Sequence, residues 1–200
     1  MDDMLNDCSS LLAHLSTRRS GKPRDMVAPG PSEQQLHSMI EQAMRSPDHG
    51  KLAPWRFIEI AADQRTAFAN MLKKAWIASN PGAAKLDLSA LEQFAAQAPA
   101  LIVLLSTPVL PSKIPLWEQS LSSGAVAMNL LHAAHAHGFV GSWITGWAAF
   151  DPMVTASLGG TENDQIAGFF FFGTPSLPLE ERPRPQALDK LTRWAPPTSD

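Results

Sequence analysis

Arg18-Arg19-Ser20, with Lys22 two positions on, places two guanidinium forks, a hydroxyl and an ammonium within five residues. Planar guanidinium groups meet phosphate oxygens bidentately, so this run is a candidate phosphate site. A solvated basic helix end, favoured by the macrodipole, is the commoner use of such a run. Side chains would have to do this work, because no Gly-x-Gly-x-x-Gly follows a strand pattern and no Walker-type Gly-Lys-Ser/Thr loop occurs. Asp48-His49 stands in a loop with Pro47, Gly50 and Pro54 and is open between an acid–base or orienting pair and plain turn chemistry. His132 and His135 are three apart and would share a helix face, but His137 falls off that face and no carboxylate follows at ligand spacing. No metal site is therefore expected, and no residue stands out as a catalytic acid, base or nucleophile. Cys8 is the one cysteine and no Gly-x-Ser-x-Gly is present, so covalent hydrolysis lacks its usual motif. Trp55, Trp143 and Trp147 sit beside glycine, proline or polar residues, a setting that suits stacking on a flat ring as well as the commoner core filling.

The elements that must position these groups are readable from periodicity and turn residues. An amphipathic opening helix is expected over Asn6 to Leu15, running into the basic segment and stopped by Pro23. Ser32-Glu33-Gln34-Gln35 has the capping-box pattern, and Leu36, Met39, Ile40, Ala43 and Met44 recur at helical spacing, which predicts a helix from about Glu33 to Arg45. Trp55 to Ala61 reads as a strand. Gln64 to Ser79 and Ala84 to Gln97 read as helices separated by the turn Asn80-Pro81-Gly82. The apolar runs Pro99 to Ser106 and Ile166 to Phe172 fit central strands covered on both faces, the second ended by Gly173-Thr174-Pro175. Trp117 to His137 is apolar around its whole circumference, which predicts a long helix buried on every side, and its small residues suit a subunit interface. Gly138 to Trp147 reads as a turn or short strand, and Asp151 to Leu158 as a short helix with Asp151 as its cap. From about 176 to 200 the prolines predict an extended tail. Without regular strand–helix–strand alternation, the order favours an α+β fold.

The 200 residues fit one domain spanning 1–200. With 44% hydrophobic and 18% charged residues, against about 25% charged in a typical domain, apolar surface is in surplus and burial against a second subunit is expected. A net charge of -3 offers no electrostatic footprint for nucleic acid or an anionic membrane. No apolar run approaches the roughly 20 residues that cross a bilayer. The opening Met1-Asp2-Asp3 is acidic where a secretory leader would be basic, and a single cysteine suits a reducing compartment, so a cytoplasmic protein is expected.

Taken in order, Arg18-Arg19-Ser20, Met44-Arg45-Ser46-Pro47-Asp48-His49, Pro54-Trp55-Arg56-Phe57, Gly138-Phe139-Val140-Gly141-Ser142-Trp143 and Phe171-Phe172-Gly173-Thr174-Pro175 resemble the nitroreductase family of flavoproteins. The likeness spans nearly the whole chain and is nearest to a small bacterial branch of NAD(P)H nitroreductases, with Ser46 in place of an alanine. It implies an α+β nitroreductase-like fold: a central, mostly antiparallel sheet flanked by helices, with the long buried helix at the interface of a homodimer. It implies one FMN per subunit, reduced by NADPH or NADH and reoxidised by a nitroaromatic, quinone or similar small acceptor in ping-pong fashion. Residue by residue, Arg18, Arg19 and Ser20 would hold the FMN phosphate and ribityl chain, with Lys22 as a helper. Arg45 and His49, their loop shaped by Pro47 and Asp48, would approach the flavin of the other subunit. Trp143-Ile144-Thr145 matches a flavin-contacting Trp-Arg-Ser triplet, with Ile144 replacing the arginine and leaving backbone contact or packing there. The stretch from Ala133 to Gly138 aligns with a segment tied to nicotinamide binding.

Two other classes fit parts of the chain. A flavin- or ligand-binding module without turnover would retain colour but not oxidise NAD(P)H. A metal-dependent hydrolase built on His132, His135 and Asp48-His49 would be colourless and carry stoichiometric metal. In the tail, Arg182, Arg184 and Arg193 are open between reaching the phosphate site and coating the surface.

Overall fold

The computed structural model describes residues 5–196. Met1-Asp2-Asp3 and the last four residues of the proline-rich tail lie outside the described residues. Along the chain run α1 (Leu11–Thr17), β1 (Met26–Val27), α2 (Glu33–Ala43), β2 (Trp55–Glu59), α3 (Arg65–Ser79), α4 (Lys85–Ala96) and β3 (Ala100–Ser106). They are followed by α5 (Leu116–Ala136), β4 (Val140–Ile144), α6 (Pro152–Ser157) and β5 (Gln165–Pro175). The fold is α+β, with one five-stranded sheet in which every pair is antiparallel.

β5 is the hub of the sheet. It pairs with β3 from Ala100↔Phe172 to Ser106↔Gln165, with β4 from Val140↔Gly173 to Ile144↔Phe169, and with β1 through Thr174 and Pro175. Alternation does the rest. Phe169 and Phe171 pack with Leu101, Val103 and Leu105 under α3 and α4, whereas Phe170 and Phe172 pack with Ile102 and Leu104 under α2 and α5. The four consecutive phenylalanines are fully buried, two on each face, and burial of each such side chain stabilises by roughly 1.5–3 kcal/mol. Arg65 at the start of α3 ties the layers together. Its nearly buried guanidinium donates to the carbonyls of Ile60 (2.7 Å), Ala95 (2.9 Å), Gln97 (3.2 Å) and Pro99 (3.4 Å), joining the ends of β2 and α4 to the entry of β3.

Several expectations need correction. α1 starts at Leu11 rather than Asn6, because Asn6 and Asp7 are engaged otherwise. The Asn6 amide exchanges hydrogen bonds with the backbone of Arg19, Asp7 N–H donates to Thr17 Oγ1, and Ser10 caps the helix. α2 ends at Ala43, with the expected capping box between Ser32 and Gln35 at its start. β5 does not stop before Gly173 but continues to Pro175, where it receives β1, a two-residue strand with no sequence signature of its own. α5 is not buried on every side within this chain. Val126, Ala127, Leu130, Leu131 and Ala134 are buried, but Trp117 is 70% and Leu121 54% exposed, and a Cβ added at Gly124 would meet nothing within 4 Å. Within the chain α2, the sheet, His14 of α1 and the 46–54 loop pack on that helix, and a stripe through Trp117 and Leu121 is left open. Among the described residues, no helix is long and apolar enough to cross a membrane.

Candidate functional site

The basic run Arg18-Arg19-Ser20 leaves the end of α1 and is laid against β4. Gly21 makes that approach possible: its N–H donates to Gly141 O (3.2 Å), and a Cβ there would sit 2.9 Å from Val140 Cγ2. The Asn6 side chain also holds the Arg19 backbone, through its N–H and its carbonyl. Arg18 Nη1 donates to Ser20 Oγ (3.2 Å), so the guanidinium and hydroxyl converge.

The tail returns across 160 residues to this segment. Arg184 Nη2 donates to Arg18 O (3.1 Å) and to Glu181 Oε1 (2.9 Å), Arg19 Nε donates to Glu180 O (2.6 Å), and Lys22 pairs with the Glu180 carboxylate at 3.4 Å. Arg18 is half-buried, and burial first, then the like charges of Arg184, Arg182 and Arg19, lower its pKa, with only Glu181 opposing. Four guanidiniums crowd a segment that has two carboxylates for relief, an arrangement suited to a multiply charged anion. Arg182 and Arg184 thus belong to this cluster. Sequence reading left them open because proximity of residues so distant in the chain has no local signal.

The loop of Arg45, Pro47, Asp48 and His49 is wired to α5 instead. Ser122 Oγ donates to Pro47 O (2.6 Å), Asn129 Nδ2 to Ser46 Oγ (2.9 Å) and Ser123 Oγ to Pro54 O (3.0 Å). Asp48 accepts the N–H groups of Leu52 (3.1 Å) and Ala53 (2.8 Å), which fixes a turn in which Lys51 and Ala53 hold left-handed φ values of 55° and 47°. The Asp48-His49 acid–base pairing therefore does not form. Asp48 shapes the turn, and His49 Nδ1 instead meets Glu118 Oε2 at 2.7 Å, a residue that sequence reading did not single out. Arg45 is exposed. No hydrogen bond or ion pair among the described residues joins this loop to the Arg18–Lys22 segment, and Arg45 lines a cavity shared with Leu11, His14 and Leu15 of α1.

Trp143, Ile144 and Thr145 lie at the end of β4. The Trp143 ring stacks on Phe170, with centroids 5.5 Å apart and 26° between planes, and its Nε1 donates to Ala167 O (2.8 Å). That carbonyl is freed by an irregularity in the β3–β5 register, which passes from Leu104↔Gly168 to Leu105↔Ile166 and leaves Ala167 unpaired. Gly168 leaves room for the indole, which a Cβ would invade. Ile144 packs into the cluster under α3 and α4, so its backbone is what remains for a ligand. Thr145 is exposed. Ala133, Ala134 and His135, in the stretch aligned with nicotinamide binding, are buried.

The histidines assemble differently from the α5 triplet considered from sequence. His14 of α1 contacts His132 (Nε2 to Nδ1, 2.7 Å), and the His14 ring stands edge-on to both His132 and His135, at centroid separations of 4.9 and 5.3 Å. Cys8 Sγ lies 3.6 Å from His14 Nδ1. His135 is buried with both nitrogens unpartnered, and burial followed by the charges of His14, Arg18 and His132 pushes its pKa down to about 3. His137 makes no part of the group.

Comparison with known proteins agrees with the architecture. Residues 15–174 match the family model described as the nitroreductase family. An Escherichia coli K12 protein named "Putative NAD(P)H nitroreductase YdjA" is 34% identical over 163 residues, covering 82% of this chain and 87% of its own. A nitroreductase-like family protein from Bacillus cereus superposes with a TM-score of 0.79 at 18% identity, over 93% of this chain and 96% of its own. The NADPH:FMN oxidoreductase of Vibrio harveyi, solved with NAD+, does so with a TM-score of 0.66 at 18% identity, over 92% and 76%. The chain belongs to the nitroreductase family, and it is an oxidoreductase of the NAD(P)H-dependent nitroreductase type.

Proposed function

We propose that the protein is an FMN-dependent NAD(P)H oxidoreductase that works as a cytoplasmic homodimer on small-molecule acceptors. The observation that carries this reading is the crowding of Arg19, Arg182 and Arg184 around a half-buried Arg18 whose guanidinium converges on Ser20 Oγ. A phosphate monoester supplies the charge and acceptor oxygens that this donor set lacks. When bound, FMN would supply the redox chemistry, taking a hydride from NADPH or NADH and passing two electrons to a nitroaromatic, quinone or similar acceptor in alternating half-reactions.

In this reading Arg18, Arg19 and Ser20 hold the phosphate and ribityl chain, joined by Arg182 and Arg184. Lys22 serves as an outer cation that exchanges Glu180 for the phosphate. The backbone of 143–145 borders the ring, because the side chains of Trp143 and Ile144 are engaged in the sheet and core. Arg45 and His49, on the rigid loop that Pro47 and Asp48 shape, act on the flavin of the other subunit. Support comes from the open stripe of α5, where Trp117 and Leu121 are exposed. Leu11, Leu12 and Leu15 of α1 are also exposed, adding apolar surface for a partner to cover. No side chain is assigned as a proton donor or base. The protein's part is to bind, orient and exclude water.

The visible spectrum of the purified protein, before and after anaerobic NADPH or NADH, tests this. Flavin bands that bleach are expected. Persistent bands point to a flavin-binding module without turnover, and a colourless protein that takes up no FMN refutes the reading.

A further inference from the structure

His49 is held in a way that separates it from the rest of its loop. The loop is anchored at Ser46 Oγ by Asn129, at the Pro47 and Pro54 carbonyls by Ser122 and Ser123, and at the Leu52 and Ala53 N–H groups by the Asp48 carboxylate. Just beyond His49, Gly50 adopts a φ of 81° and passes so close to Ile114 that a Cβ would stand 3.3 Å from its Cγ1. None of these contacts orients the imidazole. That is left to Glu118, whose Oε2 lies 2.7 Å from His49 Nδ1. Glu118 sits in the first turn of α5, a 21-residue helix whose N-terminal dipole favours a carboxylate, so the group is held where a negative charge is stable.

A carboxylate only accepts, so the Nδ1 nitrogen must carry the proton of this bond. When the ring is neutral, Nε2 is then the unprotonated nitrogen left free for another contact. We propose that Glu118 is the positioning residue for His49, presenting Nε2 for contact with the flavin of the other subunit. This rests on the FMN reading above, and it adds to that reading a residue of the same chain, 69 positions away, that sets which ring nitrogen makes the contact.

The test has two readouts on the full chain as purified. The first is 15N NMR of histidine-labelled protein at pH 8.5, where a free imidazole is neutral. His49 is expected in the Nδ1–H form in the wild type and in Glu118→Gln, whose amide oxygen still accepts the bond, and to revert to the Nε2–H form in Glu118→Ala. An unchanged tautomer in Glu118→Ala overturns the inference. The second is FMN titration of the stripped protein, followed by quenching of flavin fluorescence. Glu118→Ala and His49→Ala are each expected to raise the FMN dissociation constant about tenfold, the double variant no further, and Glu118→Gln by less than about twofold. If His49→Ala weakens FMN and Glu118→Ala does not, the positioning role fails while the flavin contact stands. If His49→Ala itself leaves FMN binding unchanged, the flavin contact assigned to His49 fails and the inference falls with it.

Discussion

Acidification should destabilise this protein through one buried imidazole. His135 is 4% exposed, has no partner for either nitrogen, and has its pKa pushed from 6.5 down to about 3. A depressed histidine binds its proton later in the folded than in the unfolded chain, so stability is full above pH 6.5 and is lost as pH falls toward 3. At pH 5 the unfolded chain carries this proton and the folded chain does not, which removes about 2 kcal/mol relative to pH 8. His14 and His132 shift in the same direction, by burial and by neighbouring positive charge, and add to the loss. His135→Leu fills a similar space without orphan nitrogens. It should raise stability at pH 8 by about 1–3 kcal/mol and reduce the penalty at pH 5 by about 2 kcal/mol. Urea unfolding followed by tryptophan fluorescence, at pH 8 and pH 5 and one protein concentration, reads both numbers. A His135→Leu protein that is less stable at pH 8 and keeps the wild-type pH dependence would show that the imidazole is partnered and ionisable in the fold, and the reasoning would fail.

Removal of a tail cation tests the phosphate cluster. Arg184→Ala should raise the FMN dissociation constant about tenfold, measured by fluorescence titration, and should do so even though the residue lies 166 positions from Arg18. Equal affinities in variant and wild type would remove the tail from the site. Gly168→Ala puts a methyl group into the Trp143 indole and should break its bond to Ala167 O, costing about 1–3 kcal/mol and altering the tryptophan emission. An unchanged emission spectrum would contradict the packing described.

What could be read from the sequence follows from the range over which each signal acts. Ser32 and Gln35 cap α2, Asp151 caps α6 through the N–H groups of Met153 and Val154, and Asn80-Pro81-Gly82 breaks α3 from α4, each within about four residues. The apolar runs around Leu101–Leu105 and Phe169–Phe172 identify central strands because a strand covered on both faces has no polar side to show. The run Arg18-Arg19-Ser20 could likewise be singled out by composition alone. Local pattern misled where side chains had distant uses. Asn6 and Asp7 read as helix but are spent on Thr17 and Arg19, and the all-round apolar character of α5 exceeds what one chain can cover.

Three decisions belonged to tertiary structure. Arg184 reaches Arg18 only because the tail folds back beside α1. Glu118, not Asp48, is the partner of His49, the Asp48 carboxylate being taken up by the N–H groups of its own turn. His14 meets His132 across 118 residues, so that two buried imidazoles, His14 and His135, and the half-buried His132 form one group in place of what looked like an α5 triplet. Helix caps, turns and strand alternation are set by neighbours along the chain and are legible in sequence. Charge clusters and hydrogen-bond partners depend on which surfaces the packed sheet and helices bring within about 3 Å, and that is settled only when the chain has folded.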